Sequence, residues 1–61
     1  MGAFVVYDPY WDPVYAYADE EEALRQCQPT GKHAGCHVIF KNEVEPGDCA
    51  DMPYVPKPWD D

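Results

Sequence analysis

Hydrophobic and polar positions change period along the chain, and each change marks an element. Ala3-Phe4-Val5-Val6-Tyr7 is a short run of β-branched and aromatic residues closed by Asp8-Pro9, which predicts a first strand. Tyr10-Trp11-Asp12-Pro13 prolongs the turn. In Val14-Tyr15-Ala16-Tyr17 the pattern alternates, placing Val14 and Ala16 on one face and Tyr15 and Tyr17 on the other. So short a connection makes the pair an antiparallel hairpin.

The period then becomes helical. Asp19-Glu20-Glu21-Glu22-Ala23-Leu24-Arg25-Gln26-Cys27-Gln28 predicts a helix over 19–28. Asp19 is positioned to accept from the first free amides, Glu22 to reach back as a capping box, and the three Glu to complement the macrodipole. Ala23, Leu24 and Cys27 form the expected apolar stripe, with Glu21 and Arg25 one turn apart on the exposed side. Pro29 stops the helix and Gly31 opens a loop.

A third strand is expected over 36–42, with Cys36, Val38 and Phe40 on the face that receives the helix and His37, Ile39 and Lys41 on the other. After it come a solvated turn, Glu43-Val44-Glu45-Pro46-Gly47-Asp48, and a segment holding Pro53, Pro56 and Pro58. Prolines at that density forbid helix and central strand. The expectation is a single α+β domain over 1–51, a small antiparallel sheet of about three strands with one helix packed on it in the order β-β-α-β. An extended, acidic, proline-rich tail over 52–61 follows.

Length and charge narrow the function. A chain of 61 residues has room for one small domain, which buries only about 60% of its unfolded surface and is marginally stable unless stapled. Twelve Asp and Glu against four Lys and Arg give a net charge of -8, which repels phosphate backbones and anionic membranes. At 46% hydrophobic and 15% aromatic residues the chain is too apolar for a disordered acidic tail. It contains no Ser, so a serine nucleophile is excluded, and Gly31-Lys32-His33 lacks the upstream glycine and the hydroxyl of a phosphate-cradling loop. No apolar run is long enough for a signal peptide or a membrane span.

Cys27, Cys36 and Cys49 permit at most one internal disulfide. Closing the loop between Cys27 and Cys36 would tie helix to sheet and contribute about 3 kcal/mol; three reduced, buried cysteines are the alternative in a cytosol. Cys27, His33, Cys36 and Cys49 are zinc-type ligands, but no Cys-x-x-Cys pair is present and the spacing does not support a metal site. A Cys36–His37 nucleophile pair is supported less still, since neighbours on a strand diverge and a chain of 61 residues offers little wall for a pocket. The expectation is a protein without enzymatic activity, cofactor or metal.

Read in order, Gly2-Ala3-Phe4-Val5-Val6-Tyr7, Ala23-Leu24-Arg25-Gln26-Cys27, Gly35-Cys36-His37-Val38-Ile39-Phe40-Lys41-Asn42 and Cys49-Ala50 resemble a small bacterial domain family, usually exported and of unknown function. In that family a Gly-Ala strand precedes an Ala-Leu-x-x-Cys helix and a Gly-x-Cys-x-Val strand ending in Phe-x-Asn-x-Cys-Ala. The resemblance covers residues 2–50 and implies an α+β fold with a Cys27–Cys36 disulfide; it carries no activity. The six residues 43–48 stand where the family has about one, which displaces Cys49. With Met1 directly before Gly2, either an export signal has been trimmed or the chain works inside a cell.

In size and charge the chain is also similar to the acidic proteins of phages and mobile elements, including inhibitors of CRISPR defence complexes. Acidic residues on turns and at a helix start compete with DNA or RNA for a basic groove, and the surplus aromatics suit an interface, where Tyr and Trp anchor and carboxylates meet Arg or Lys. The expected partner-binding residues are Asp8, Tyr10, Trp11, Asp12, Asp19, Glu20, Glu21, Glu22, Glu43 and Glu45. The expected function is a non-enzymatic inhibitor that blocks the nucleic-acid groove of a larger basic protein or complex, such as a CRISPR effector, in a bacterial host cytoplasm. It would touch neither nucleic acid nor membrane directly. The alternative is an exported, disulfide-stapled envelope domain, periplasmic or secreted.

Overall fold

The computed structural model describes residues 2–60. It is α+β: β1 (Ala3–Tyr7), β2 (Pro13–Tyr17), α1 (Glu20–Gln26), β3 (His37–Lys41) and β4 (Gly47–Asp48), then a 3-10 turn at Cys49–Asp51. The strands form one antiparallel sheet in the spatial order β3-β1-β2-β4. The expected three strands are thus four among the described residues. The fourth is only two residues long and carries no alternation, so local pattern does not reveal it. It forms because Gly47, at φ 147°, lets the chain turn alongside Ala16.

The β1–β2 hairpin closes through a turn in which the Trp11 amide donates to the Asp8 carbonyl at 2.8 Å and Asp8 Oδ1 accepts from the amides of Tyr10 and Asp12 at 2.9 Å each. Pairing then runs Tyr7 with Pro13 but Val6 with Tyr15, which leaves Val14 as a bulged residue.

The helix is shorter than expected, and its start is built differently. Asp19 occupies the N-cap position without a side-chain bond, and Glu22 pairs with Arg25 and accepts from Gln26 Nε2 at 2.8 Å, so no capping box forms. Arg25 therefore pairs with Glu22 rather than facing Glu21 alone. Of the expected stripe, Ala23 is buried and Cys27 half-buried, but Leu24 is 50% exposed. Of the seven helical residues Ala23 is the one that is buried, and its small side chain lets the helix lie close. The chain then folds back on the helix end: His33 N–H donates to the Gln26 carbonyl at 2.7 Å, and a Cβ on Gly31 would lie 2.2 Å from that carbonyl oxygen.

Alternation divides the sheet into two faces. Phe4, Val6, Tyr15, Tyr17, Val38 and Phe40 share one, and α1 and its loop cover the β1 and β2 part of it. Ala3, Val5, Tyr7, Ala16, Ile39 and Lys41 share the other. There the main core forms with Val44 and Cys49, with Trp11, Met52 and Val55 packed around it.

The proline-rich segment is what closes that second face. Tyr7 Oη donates to the Pro56 carbonyl at 2.7 Å, and Lys57 Nζ reaches Asp12 Oδ1 at 2.6 Å. Lys41 is buried, and its ammonium donates to the carbonyls of Pro58, at 2.9 Å, and Asp60. Among the described residues no helix is long and apolar enough to cross a membrane.

Candidate functional site

The strand register sorts the acidic residues by position. Phe4 pairs with Tyr17 and Ala3 with Lys41, while Gly47 pairs with Ala16. The end of β2, the end of β3 and the approach to β4 therefore lie at one end of the sheet. Asp19, Glu20 and Glu21 leave the end of β2; Glu43 and Glu45 lie between β3 and β4; all five are exposed. These two groups, distant in sequence, lie at the same end of the sheet, which is its acidic end.

The cavities at this side carry the same sign. One of about 460 Å³ is bordered by Glu43, Glu45, Asp48, Asp51 and Tyr54. A neighbouring one of about 250 Å³ is lined by Glu43, Tyr54, Pro56 and Asp60. Tyr54 is 70% exposed, so an aromatic ring stands within the carboxylates.

Glu22 differs from its neighbours, being half-buried and engaged by Arg25 and Gln26. The cations are largely committed inside the molecule: Arg25 to Glu22, Lys57 to Asp12, and Lys41 to the carbonyls of the C-terminal segment. The exposed carboxylates of the acidic end are left to set the local field.

The hairpin turn lies at the opposite end. The Asp8 carboxylate holds the turn, and Asp12 is paired with Lys57. Trp11 folds back, its ring stacked on His37 with centroids 4.0 Å apart and planes 15° from parallel. Its φ of 66° is a conformation that large side chains rarely adopt, and Lys57 Nζ lies 3.4 Å from its carbonyl. Tyr10 stands out at 84% exposure. Asp8, Tyr10, Trp11 and Asp12 are thereby separated from Asp19–Glu22, Glu43 and Glu45 by the length of the sheet.

All three cysteines are free, so the Cys27–Cys36 disulfide implied by the resemblance is not formed. Burial raises the Cys27 thiol above its ordinary value, with a further push from Cys36. Cys36 is raised by burial and then by Asp8. Cys49 belongs to the core on the other side of the sheet and is pushed up to about 11 by burial and Asp48. The sheet thus separates Cys49 from the other two. His33 is engaged elsewhere, its Nε2 lying 3.1 Å from Tyr17 Oη. Among the described residues no group of three or more His, Cys, Asp or Glu side chains is placed to hold a metal ion.

An apolar feature complements the acidic end. Trp11, Ile39, Pro58 and Trp59 line a cleft of about 390 Å³. Phe40, on the opposite face of the same strand, is 47% exposed beside Phe4, and Trp59 is 70% exposed. Sequence reasoning missed the cleft because it joins the hairpin turn to the last residues of the chain. The only local signal is the density of aromatics. Comparison with protein-family models, curated proteins and solved structures finds no match to this chain.

Proposed function

We propose that this is a non-enzymatic acidic protein that occupies the basic nucleic-acid groove of a larger protein or complex and blocks it, in the manner of phage and mobile-element inhibitors, with CRISPR effectors among the candidate partners. The observation that carries this reading is the acidic end, where strand register sets Asp19, Glu20, Glu21, Glu43 and Glu45 at the same end of the sheet while Arg25, Lys41 and Lys57 are engaged within the molecule. Carboxylates on a rigid frame present charge to a groove built for phosphates, and long-range attraction speeds the encounter. The raised thiols remain protonated near neutral pH and are poor nucleophiles, in keeping with a binding role.

The test is capture from bacterial lysate at low and high salt, beside a variant carrying Glu20→Lys, Glu21→Lys, Glu43→Lys and Glu45→Lys. A basic nucleic-acid-binding partner should be retained at low salt, released as screening rises, and lost from the variant. Retention unaffected by salt or by the four reversals refutes the reading.

A second reading has one observation in its favour. The His33 amide donates to the Gln26 carbonyl and the Cys36 amide to the His33 carbonyl, which folds the segment before β3 back toward the helix end that carries Cys27, as an exported domain that oxidises this pair would need. A mass measurement without reductant on native material decides it: loss of two hydrogens supports export, and an intact reduced chain counts against it.

A further inference from the structure

We infer that the outer edge of β3, together with the Trp11–Ile39–Pro58–Trp59 cleft, is a docking site for an extended, basic segment of another protein, which joins the sheet as an additional strand. The choice of a basic partner rests on the function proposed above; the choice of an added strand rests on the edge itself.

The two edges of the sheet are built differently. At one, β4 is two residues long and runs directly into a 3-10 turn, so it offers little to a newcomer. At the other, β3 is five residues, His37–Lys41, without proline or bulge, paired on one side only with β1. Along His37–Phe40, alternate residues direct their N–H and C=O groups outward and no described strand receives them, while the Lys41 carbonyl accepts from the Val44 amide. Exposed edges of this kind are ordinarily shortened, kinked or covered.

Side chains on both faces of β3 fit the same occupant. A strand added at the ordinary spacing of about 4.8 Å would set alternate side chains beside Ile39 on one face and beside Val38 and Phe40 on the other. On the first face the cleft walled by Trp11, Pro58 and Trp59 receives an apolar side chain. On the second, α1 lies over β1 and β2, and Phe40 is left 47% exposed. An added strand would bury Phe40 and the rim of the cleft together. The unusual φ of Trp11, whose ring stacks on His37 at the start of β3, places that side chain as one wall of the cleft.

Charge selects the occupant. Glu43 follows β3 directly and is exposed, so its carboxylate is the one at this edge that meets an incoming cation, whereas Asp12 is already paired with Lys57 and the Asp8 carboxylate holds the hairpin turn. A second copy would bring a chain of the same net charge, -8, against this one, whereas a segment alternating apolar and basic residues meets the strand backbone, the cleft and Glu43 at once.

The probe is a capped ten-residue peptide of alternating lysine and valine, compared with the same peptide N-methylated at alternate backbone amides. Tryptophan fluorescence and amide exchange of His37–Lys41 are followed in the full chain. The unmodified peptide should shift the fluorescence and slow exchange along β3. N-methylation should weaken binding about tenfold or more, and Trp59→Ala several-fold while leaving the fold intact, since that side chain is mostly exposed. Equal binding of both peptides, or no change at β3, overturns the added strand. Such a result leaves the acidic-groove reading to its own salt test, and a failed salt test leaves the peptide result standing. Dimerisation of the chain alone with protection of β3 would instead assign the edge to a second copy and refute the proposal.

Discussion

The two faces of the sheet are covered by opposite means. One carries the only α-helix among the described residues, yet most of its side chains stay partly open: Phe4, Tyr15, Tyr17 and Val38 are half-buried and Phe40 is exposed, with Val6 and Ala23 fully buried. The other is covered by chain that is mostly irregular, and there Ala3, Val5, Tyr7 and Ala16 are completely buried. A seven-residue helix is too short to be stable alone and offers one narrow row of contacts. The C-terminal segment is held in place by hydrogen bonds from Tyr7 and Lys41 and an ion pair from Lys57, and its prolines lose less conformational entropy on ordering than ordinary residues do. In a chain this small, the position of closure matters more than regularity.

Deleting residues 53–61 is the harshest test of that contrast. It would expose Tyr7 and Val5, strand the Lys41 ammonium without its carbonyl acceptors, and release Lys57 from Asp12. The expected outcome is loss of a cooperative thermal transition and of near-ultraviolet circular dichroism at 25 °C. A truncated chain that still unfolds cooperatively would make the helix face the principal core.

Alkaline titration attacks the same face without mutation. Burial, with smaller contributions from Cys49 and Tyr54, raises Tyr7 from 10.0 to about 12, and Cys49 rises from 9.0 to about 11. Each group is neutral when protonated and has its pKa raised on folding. The associated stability is therefore intact below the unfolded values and is lost as pH climbs between 9 and 12. A two-unit shift corresponds to about 3 kcal/mol per group. Denaturation midpoints should fall steeply above pH 9. Tyr7→Phe should flatten the upper part of that fall, while costing about 1 kcal/mol at neutral pH through the lost bond to Pro56.

Val5 and Val6 provide a matched pair, adjacent, fully buried and on opposite faces. Val5→Ala and Val6→Ala remove the same atoms, so the difference between them reports how far each surrounding can collapse. Val5→Ala should cost about 2 kcal/mol, and Val6→Ala about half as much, because the partly open helix face closes more easily around a deletion. Equal losses in urea denaturation would mean that the two layers are equally rigid.

What was legible in the sequence follows the range of the interactions. β1 is found at its expected bounds, and α1 and β3 within two residues of theirs, because periodicity and turn residues act locally. β4 was invisible because it owes its existence to Ala16 rather than to its own pattern. The capping box at Asp19 and Glu22 failed because Arg25 and Gln26 compete for the same carboxylate. The acidic residues were legible individually. Their gathering at one end depends on strand register, and the Trp11–Trp59 cleft depends on a contact across most of the chain, neither of which residue spacing encodes.

The smallest expected effect falls on the residue that sequence pattern placed in the helix core. Leu24 is 50% exposed, so Leu24→Ala gives up only part of a side chain's burial, and alanine's slightly better helix propensity offsets some of that loss. The net change should stay within about 0.5 kcal/mol, with the far-ultraviolet helix signal retained. A cost above about 2 kcal/mol would mean that α1 turns Leu24 toward the sheet in solution, burying a second row of contacts. The helix face would then be a full core layer, and the contrast between the two faces would disappear.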